Sequence, residues 1–400
     1  MNRVFVLGAG FSKCYRQSKT HVQMPLARDF FPTFNKLDIS TNLWVKVGRI
    51  VNYVRNTRGI APEQFSSFNE DIELLHSEIE DKLRASLQDK EGPDSLLLLG
   101  LYNEVIFLFA SVLNEIQNGP VSPTHVRLAG KLTSEDTIIT FNWDTLMDRA
   151  LATSKGWNPD TGYYIHPKKI YRNGWVDPDE CTEMSWPYLL KLHGSSNWLT
   201  GATVFDEQRN IVHSHSSTPD TVYLYESTID PYDCYDGRYM PGYEPYSYGY
   251  YPPNLPDKGR TLPEGCISAR FILRDPFTPK GKYGESGIMS MPLIIPPVKH
   301  KSYDFFGTLF RQIWDLASMR IQTADEIHLY GYSFPSTDHQ SDELFRRAFT
   351  KRTTIPDIVI INPHYQRIHD KFQIELGIPN IKIRAFSDYI DEDFNFDRVI

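Results

Sequence analysis

Short, mainly apolar runs recur along the chain, and each ends at a small, amide-bearing or titratable residue. Val4-Phe5-Val6-Leu7 runs into Gly8-Ala9-Gly10-Phe11-Ser12, Thr137-Ile138-Ile139-Thr140-Phe141 into Asn142-Trp143-Asp144, and Leu190-Lys191-Leu192 into His193-Gly194. Later, residues 326–330 run into Gly331-Tyr332-Ser333 and residues 357–361 into Asn362-Pro363, with shorter strands expected at 292–295 and about 381–383. Runs of this length bounded by turn residues read as buried strands. Between them apolar positions fall at helical spacing, over 71–79, 101–116, 145–151, 303–319 and about 338–349. Residues 24–31 read as one more helix start, with Pro25 near the first turn where its missing N–H costs least. Strands alternating with helices predict an α/β, Rossmann-like fold with a mainly parallel sheet.

Three stretches interrupt that alternation within what reads as a single domain over 1–400. Residues 43–118 are helical in pattern and separate the first strand from the second, so they are expected to form a helical insertion capping the sheet. Residues 154–187 are rich in Trp, Tyr, Asn, Gly and Pro and read as a surface connection. Residues 200–290 form a Tyr/Pro/Gly-rich insertion without sustained periodicity, and ten tyrosines lie from Tyr223 to Tyr251. Tyrosine brings apolar area with a polar tip, so this loop is either an ordered contact surface or a mobile segment.

Composition narrows the classes. With 40% of residues apolar and 13% aromatic, the chain can bury a sizeable core. A net charge of −8 offers no general attraction to nucleic acid or anionic lipid, so no direct nucleic-acid or membrane partner is expected. Cys14, Cys181, Cys234 and Cys266 form no C-x-x-C pair, and His213-Ser214-His215 lacks supporting ligands, so no metal is expected. The first apolar run is too short for a signal peptide and no run spans a bilayer, which points to the cytoplasm.

In an open α/β sheet, groups just past the strand ends converge on one crevice, so these turns describe a nucleotide site containing a titratable base. Gly8, Ala9 and Gly10 can bring backbone N–H groups near a diphosphate, with Ser12 adding a hydroxyl; the plainer reading is a tight strand-to-helix turn, since position 13 is Lys where the dinucleotide fingerprint has its third glycine. Asn142 can position a ribose or a water, and Asp144 is equally suited to cap the next helix. His193 titrates near neutrality and can take a proton from water or a ribose hydroxyl, or it can be a satisfied buried histidine. Gly331, Ser333 and Asn362 are of the kind that meet ribose hydroxyls or an adenine edge. Glu70, Asp71 and Glu73 are most simply a solvated helix face.

Taken in order, Gly8-Ala9-Gly10-Phe11-Ser12, Asn142-Trp143-Asp144, His193-Gly194, Gly331-Tyr332-Ser333 and Ile361-Asn362 resemble the sirtuin superfamily, and within it the divergent bacterial sirtuin-like proteins of antiphage systems. The resemblance implies that Gly8 to Ser12 hold the NAD diphosphate, that Asn142 and Asp144 lie at the nicotinamide ribose and nicotinamide, that His193 is the base, and that Gly331, Ser333 and Asn362 meet the adenosine half. Sirtuin deacylases carry a four-cysteine zinc module between the histidine and the later Gly-x-Ser turn, where this chain has its tyrosine-rich insertion, and Phe141 stands where they have glutamine. The resemblance therefore implies an NAD⁺ hydrolase that depletes NAD during infection, with NAD as substrate and no metal. It also implies a homo-oligomer, paired in some such systems with a HerA-type hexameric ATPase. Two alternatives stay open: ADP-ribosyl transfer or deacylation, and an NAD or ADP-ribose sensor without turnover.

Overall fold

Six short strands pair side by side, all parallel: β1 (Arg3–Leu7), β2 (Thr137–Thr140), β3 (Tyr188–Lys191), β4 (Glu326–Tyr330), β5 (Asp357–Ile361) and β6 (Lys382–Phe386). Their spatial order, β3-β2-β1-β4-β5-β6, is that of a doubly wound Rossmann sheet, with the reversal between β1 and β4. The computed structural model describes residues 1–38, 40, 44, 47–88, 95–172, 175–179, 186–201, 203–205, 211–213, 222–226, 267–269, 290–295, 307–335, 338–378 and 382–400. Val4, Phe5, Val6, Ile138, Ile139, Leu189, Leu190, Ile358 and Ile360 are fully buried, as expected of parallel strands covered on both faces. The edge strand β6 instead exposes Lys382 and Arg384, charges that discourage pairing with another chain.

The longer helices are α1 (Gly48–Arg58), α2 (Ile72–Gln88), α3 (Ser95–Gln117), α4 (Pro123–Lys131), α5 (Leu146–Lys155), α6 (Gly307–Thr323), α7 (His339–Thr350) and α8 (Tyr365–Asp370). Leu128 of α4, Ala150 of α5, Ile313 of α6 and Phe345 of α7 share one buried cluster with the strands. The start of α4 is encoded locally: Pro123 occupies the first turn and the Ser122 hydroxyl accepts from the His125 N–H at 3.4 Å. Helices α1, α2 and α3 build a second core with Phe31, Phe34, Val54, Ile79 and Leu108. Among the described residues no helix is long and apolar enough to cross a membrane.

Three expectations need correction. Residues 24–26 precede any helix: one 3-10 turn (Ala27–Asp29) leads into Phe30–Phe34, because a residue before proline avoids the helical region and Met24 is instead buried in the second core. The stretch 154–187 is more than a surface connection, since Trp157, Tyr163, Ile165, Ile170 and Trp186 are core residues and it supplies strands Lys169–Tyr171 and Trp175–Val176. Those strands belong to a second sheet, in the order Ser290–Ile294, Gly194–Gly201, Tyr223–Tyr225, Lys169–Tyr171, Trp175–Val176. The third run ends at Lys191, not at His193: Gly194, at φ +74°, turns the chain directly into an antiparallel strand of that second sheet. Its positive φ and a Cβ position only 2.0 Å from the Leu293 carbonyl oxygen both demand glycine. Within 200–290, Tyr223 and Tyr225 are buried in a strand and Thr203–Phe205, Ile211–His213 and Ile267–Ala269 pair as a third sheet, whereas the other eight tyrosines, from Tyr232 to Tyr251, lie outside the described residues.

His76 of α2 is wholly buried against Tyr102, and neither ring nitrogen has a hydrogen-bond partner among the described residues. Burial alone pushes its pKa down to about 3. The folded protein therefore holds this ring neutral while the unfolded chain protonates it below about pH 6.5, so stability is fully present above that pH and drains away as pH falls toward 3. His76→Phe should flatten the acid side of a stability-against-pH curve by up to about 1.4 kcal/mol per pH unit over that window. Urea denaturation at pH 4 to 7 reads this directly, and identical slopes in the two proteins would refute it.

Candidate functional site

Register brings the strand ends level. Leu7 lies opposite Thr140 and Tyr330, Thr140 opposite Lys191, and Tyr330 opposite Ile361. The turns after these strands therefore emerge at one height, and a pocket of about 540 Å³ opens there, across the β1/β4 reversal. Gly8, Ala9, Gly10, Ser12, Asn142, Asp144, His193, Gly331, Ser333 and Asn362 all contribute to its wall. Phe11 does not; its ring is buried 4.4 Å from that of His125.

The glycines are explained first by packing. Gly8 donates to the Tyr330 carbonyl at 3.0 Å and Gly10 to the Gly331 carbonyl at 3.1 Å. A Cβ on Gly8 would sit 2.5 Å from the Tyr332 Cα, and one on Gly331, already at φ +62°, 2.2 Å from the Phe11 nitrogen. The two turns press backbone on backbone, which only glycines permit. The N–H groups of Gly8 and Gly10 are thus already engaged, which corrects the expectation that both face a diphosphate. Ala9, at the exposed corner of this turn, is the residue between them.

Ser12, Asn142 and Asp144 form one hydrogen-bonded string. The Asn142 Nδ2 donates to the Ser12 hydroxyl at 2.9 Å, and that hydroxyl donates to Asp144 Oδ2 at 2.6 Å. The hydroxyl hydrogen is spent on Asp144, so Ser12 is no donor to a ligand. The other Asp144 oxygen accepts from the Leu146 N–H at 3.1 Å, an Asx turn just ahead of the helix, whose N-cap position is Thr145. Burial pushes the Asp144 carboxyl above the ordinary aspartate range, with the Lys191 ammonium and the Ser12 hydrogen bond acting against it.

His193 is held from several sides. Leu192 N–H donates to the Thr140 carbonyl at 3.0 Å, and the His193 carbonyl accepts from Ile295 at 2.9 Å. The Phe141 ring meets the imidazole edge-on at 5.0 Å and itself stacks on Tyr332 at 4.5 Å. Nε2 lies 3.2 Å from Asp338 Oδ2, and both side chains are buried. Sequence reasoning missed Asp338 as a site residue, treating it only as the start of a helix. It lies 145 positions from His193 in the chain (338 − 193), and nothing short of the fold pairs them. Burial and the neighbouring Asp338 charge hold the Tyr332 phenol well above its usual range, hence neutral.

Lys191 was equally invisible, a lysine inside an apolar run. It is fully buried, and its ammonium donates to the Asp144 main-chain oxygen at 2.6 Å and to the Asp148 carboxylate at 3.0 Å. Tyr163 also donates to Asp148, and Asn197 donates to the Tyr163 oxygen at 3.3 Å. This network ties the end of β3 to the turn carrying Asn142 and Asp144.

Asn362 is a clamp between strand ends: its Nδ2 donates to the Tyr332 carbonyl at 3.2 Å and its Oδ1 accepts from the His364 N–H at 2.8 Å. Asp71 and Glu73 correct the solvated-face expectation, since both line the pocket where α2 begins, with Asp71 accepting from the Glu73 N–H at 2.9 Å. Glu70 instead pairs with Arg58 at 2.8 Å. Among the described residues no group of three or more His, Cys, Asp or Glu side chains is arranged to hold a metal.

No protein-family model and no curated protein matches the chain. A solved structure of a Sir2 homologue, a serine-to-alanine mutant in complex with ADP-ribose, is similar at 14% identity over 70% of this chain and 68% of its own, with a TM-score of 0.30. The chain is a Rossmann-like α/β protein whose pocket opens at the topological switch point of its parallel sheet.

Proposed function

We propose that the pocket binds NAD⁺ and hydrolyses it to nicotinamide and ADP-ribose. The observation that carries this reading is a buried histidine with a carboxylate 3.2 Å from Nε2, on the wall of a switch-point pocket that also holds Asn142 and Asp144. Dinucleotides bind at such switch points, and the order of the motifs, which resembles that of sirtuins, supports the assignment of roles.

Cleavage of the nicotinamide glycosidic bond leaves the electron pair on nicotinamide, neutralising its ring, and leaves positive charge on the ribose. Water adds to the anomeric carbon, and its proton passes to His193 and then to solvent, so that NAD⁺ and water become nicotinamide, ADP-ribose and a proton. Asn142, already fixed through Ser12, orients the ribose or the water. Asp144 adds its carboxylate beside the nicotinamide ribose, where negative charge favours the developing cation. Asp338 supplies a counter-charge for the protonated imidazole. The turn at Ala9 lies beside the diphosphate without the Gly8 or Gly10 N–H or the Ser12 hydroxyl donating to it, and Gly331, Ser333 and Asn362 frame the adenosine half. The biological reading that goes with this chemistry is an effector of antiphage defence in the cytoplasm that acts by NAD depletion, as a homo-oligomer silent until infection and controlled by assembly, with a HerA-type ATPase as candidate partner, or by a trigger.

Purified protein incubated with NAD⁺, alone and with the product of a neighbouring ATPase gene, should release nicotinamide and ADP-ribose in equal amounts by chromatography. A labelled acceptor in place of free ADP-ribose would mean transfer instead. Intact NAD⁺ in every condition, with ADP-ribose still bound, would make the protein a sensor.

A further inference from the structure

The far end of the pocket, past β5, carries two basic side chains beside Asp388. His364 and Arg367 line it, both exposed, and among the described residues neither side chain has a hydrogen-bond or ion-pair partner. Of the acids that line the pocket, Asp388, two residues past β6 at this same end, pairs with Arg398 at 3.5 Å, Asp71 and Glu73 lie at the start of α2, Asp144 accepts from Ser12, and Asp338 lies 3.2 Å from His193. The Asn362 amide, next to them, is occupied by the Tyr332 carbonyl and the His364 N–H. In dinucleotide sites a carboxylate accepts from the ribose 2′-hydroxyl of NAD, whereas an arginine accommodates the 2′-phosphate of NADP. Guanidinium recognises phosphate by paired, charge-assisted hydrogen bonds.

We infer that Arg367, with His364 beside it, forms a 2′-phosphate subsite, so that the pocket takes adenine dinucleotides phosphorylated on the adenosine ribose in preference to NAD⁺ itself. This rests on the adenosine half lying at the β5 end, as in the proposed function, but its binding test does not require turnover. Calorimetric titration with 2′-phospho-ADP-ribose and with ADP-ribose should show the phosphorylated ligand binding more tightly, with an advantage that shrinks as salt is raised from 0.05 to 0.5 M, on the order of the range over which exposed charges become screened. Arg367→Glu removes the cation and supplies a hydroxyl acceptor, so it should lower the ratio of the two affinities by about tenfold or more, while Arg367→Lys keeps part of it. Both variants alter an exposed side chain, and an unchanged melting temperature separates a lost subsite from a lost fold. Equal affinities in the wild-type protein, or a ratio unmoved by Arg367→Glu, overturn the subsite and leave NAD⁺ hydrolysis standing. Failure to bind either ligand overturns the adenosine placement and the subsite together.

Discussion

His193→Ala should lower the rate of nicotinamide release by about 10²–10⁴-fold, the range a positioned general base contributes. The fold should survive, because the imidazole lies at the pocket wall and the backbone of 192–194 is held by its own hydrogen bonds to Thr140 and Ile295. Asp338→Asn is the more discriminating variant. It preserves shape and leaves Nε2 a neighbour of similar size, but removes the charge that faces it at 3.2 Å. Without that counter-charge the imidazolium formed as water attacks is less well stabilised, so the rate should fall. In Asp338→Asn kcat is expected to fall with KM little changed, a split that a merely structural role for Asp338 would not produce. Full turnover in His193→Ala would remove the histidine from the mechanism, whatever the fate of Asp338.

The largest effect on stability is expected at Lys191. Lys191→Met takes the ammonium away from the buried Asp148 carboxylate and leaves it the Tyr163 hydroxyl, and breaking a buried pair from one side costs about 3–5 kcal/mol. Removing both charges together leaves no orphaned ion, so Lys191→Met combined with Asp148→Leu should cost less than the sum of the single changes, and the cycle should show coupling of at least about 1 kcal/mol. Urea denaturation of the four proteins measures this. Additive losses would mean that the ammonium and carboxylate do not act as a pair. Because the same ammonium also holds the Asp144 carbonyl and opposes the upward shift of its carboxyl, Lys191→Met should loosen the Asn142–Asp144 turn as well.

Much of this arrangement is legible in the chain alone. Runs such as Asp357–Ile361 and Glu326–Tyr330 have strand bounds that match the sequence, because each sets four buried residues, His328 among them, after one half-buried acid and ends where turn residues begin. Helices α2 and α3 are visible through their spacing for a similar reason. The short segment at 24–31 is not, since a proline near a helix start and a proline before one look alike in sequence. The strand after Gly194 is also hidden: Gly-Ser-Ser-Asn-Trp lacks apolar alternation, and it becomes a strand only because Ser290–Ile294 and Tyr223–Tyr225 lie beside it.

The strands, most helices and the small or titratable residues that close each strand are written in the order of residues, because they depend on local geometry and on burial periodicity. The strand order that levels those ends, the pairing of His193 with Asp338 and the partners of Lys191 come from the folded arrangement. So does the fact that the glycine N–H groups and the Ser12 hydroxyl answer to protein atoms. A hydrogen bond or an ion pair depends on distance between atoms, and residues such as His193 and Asp338 become neighbours only when the sheet sets their spacing.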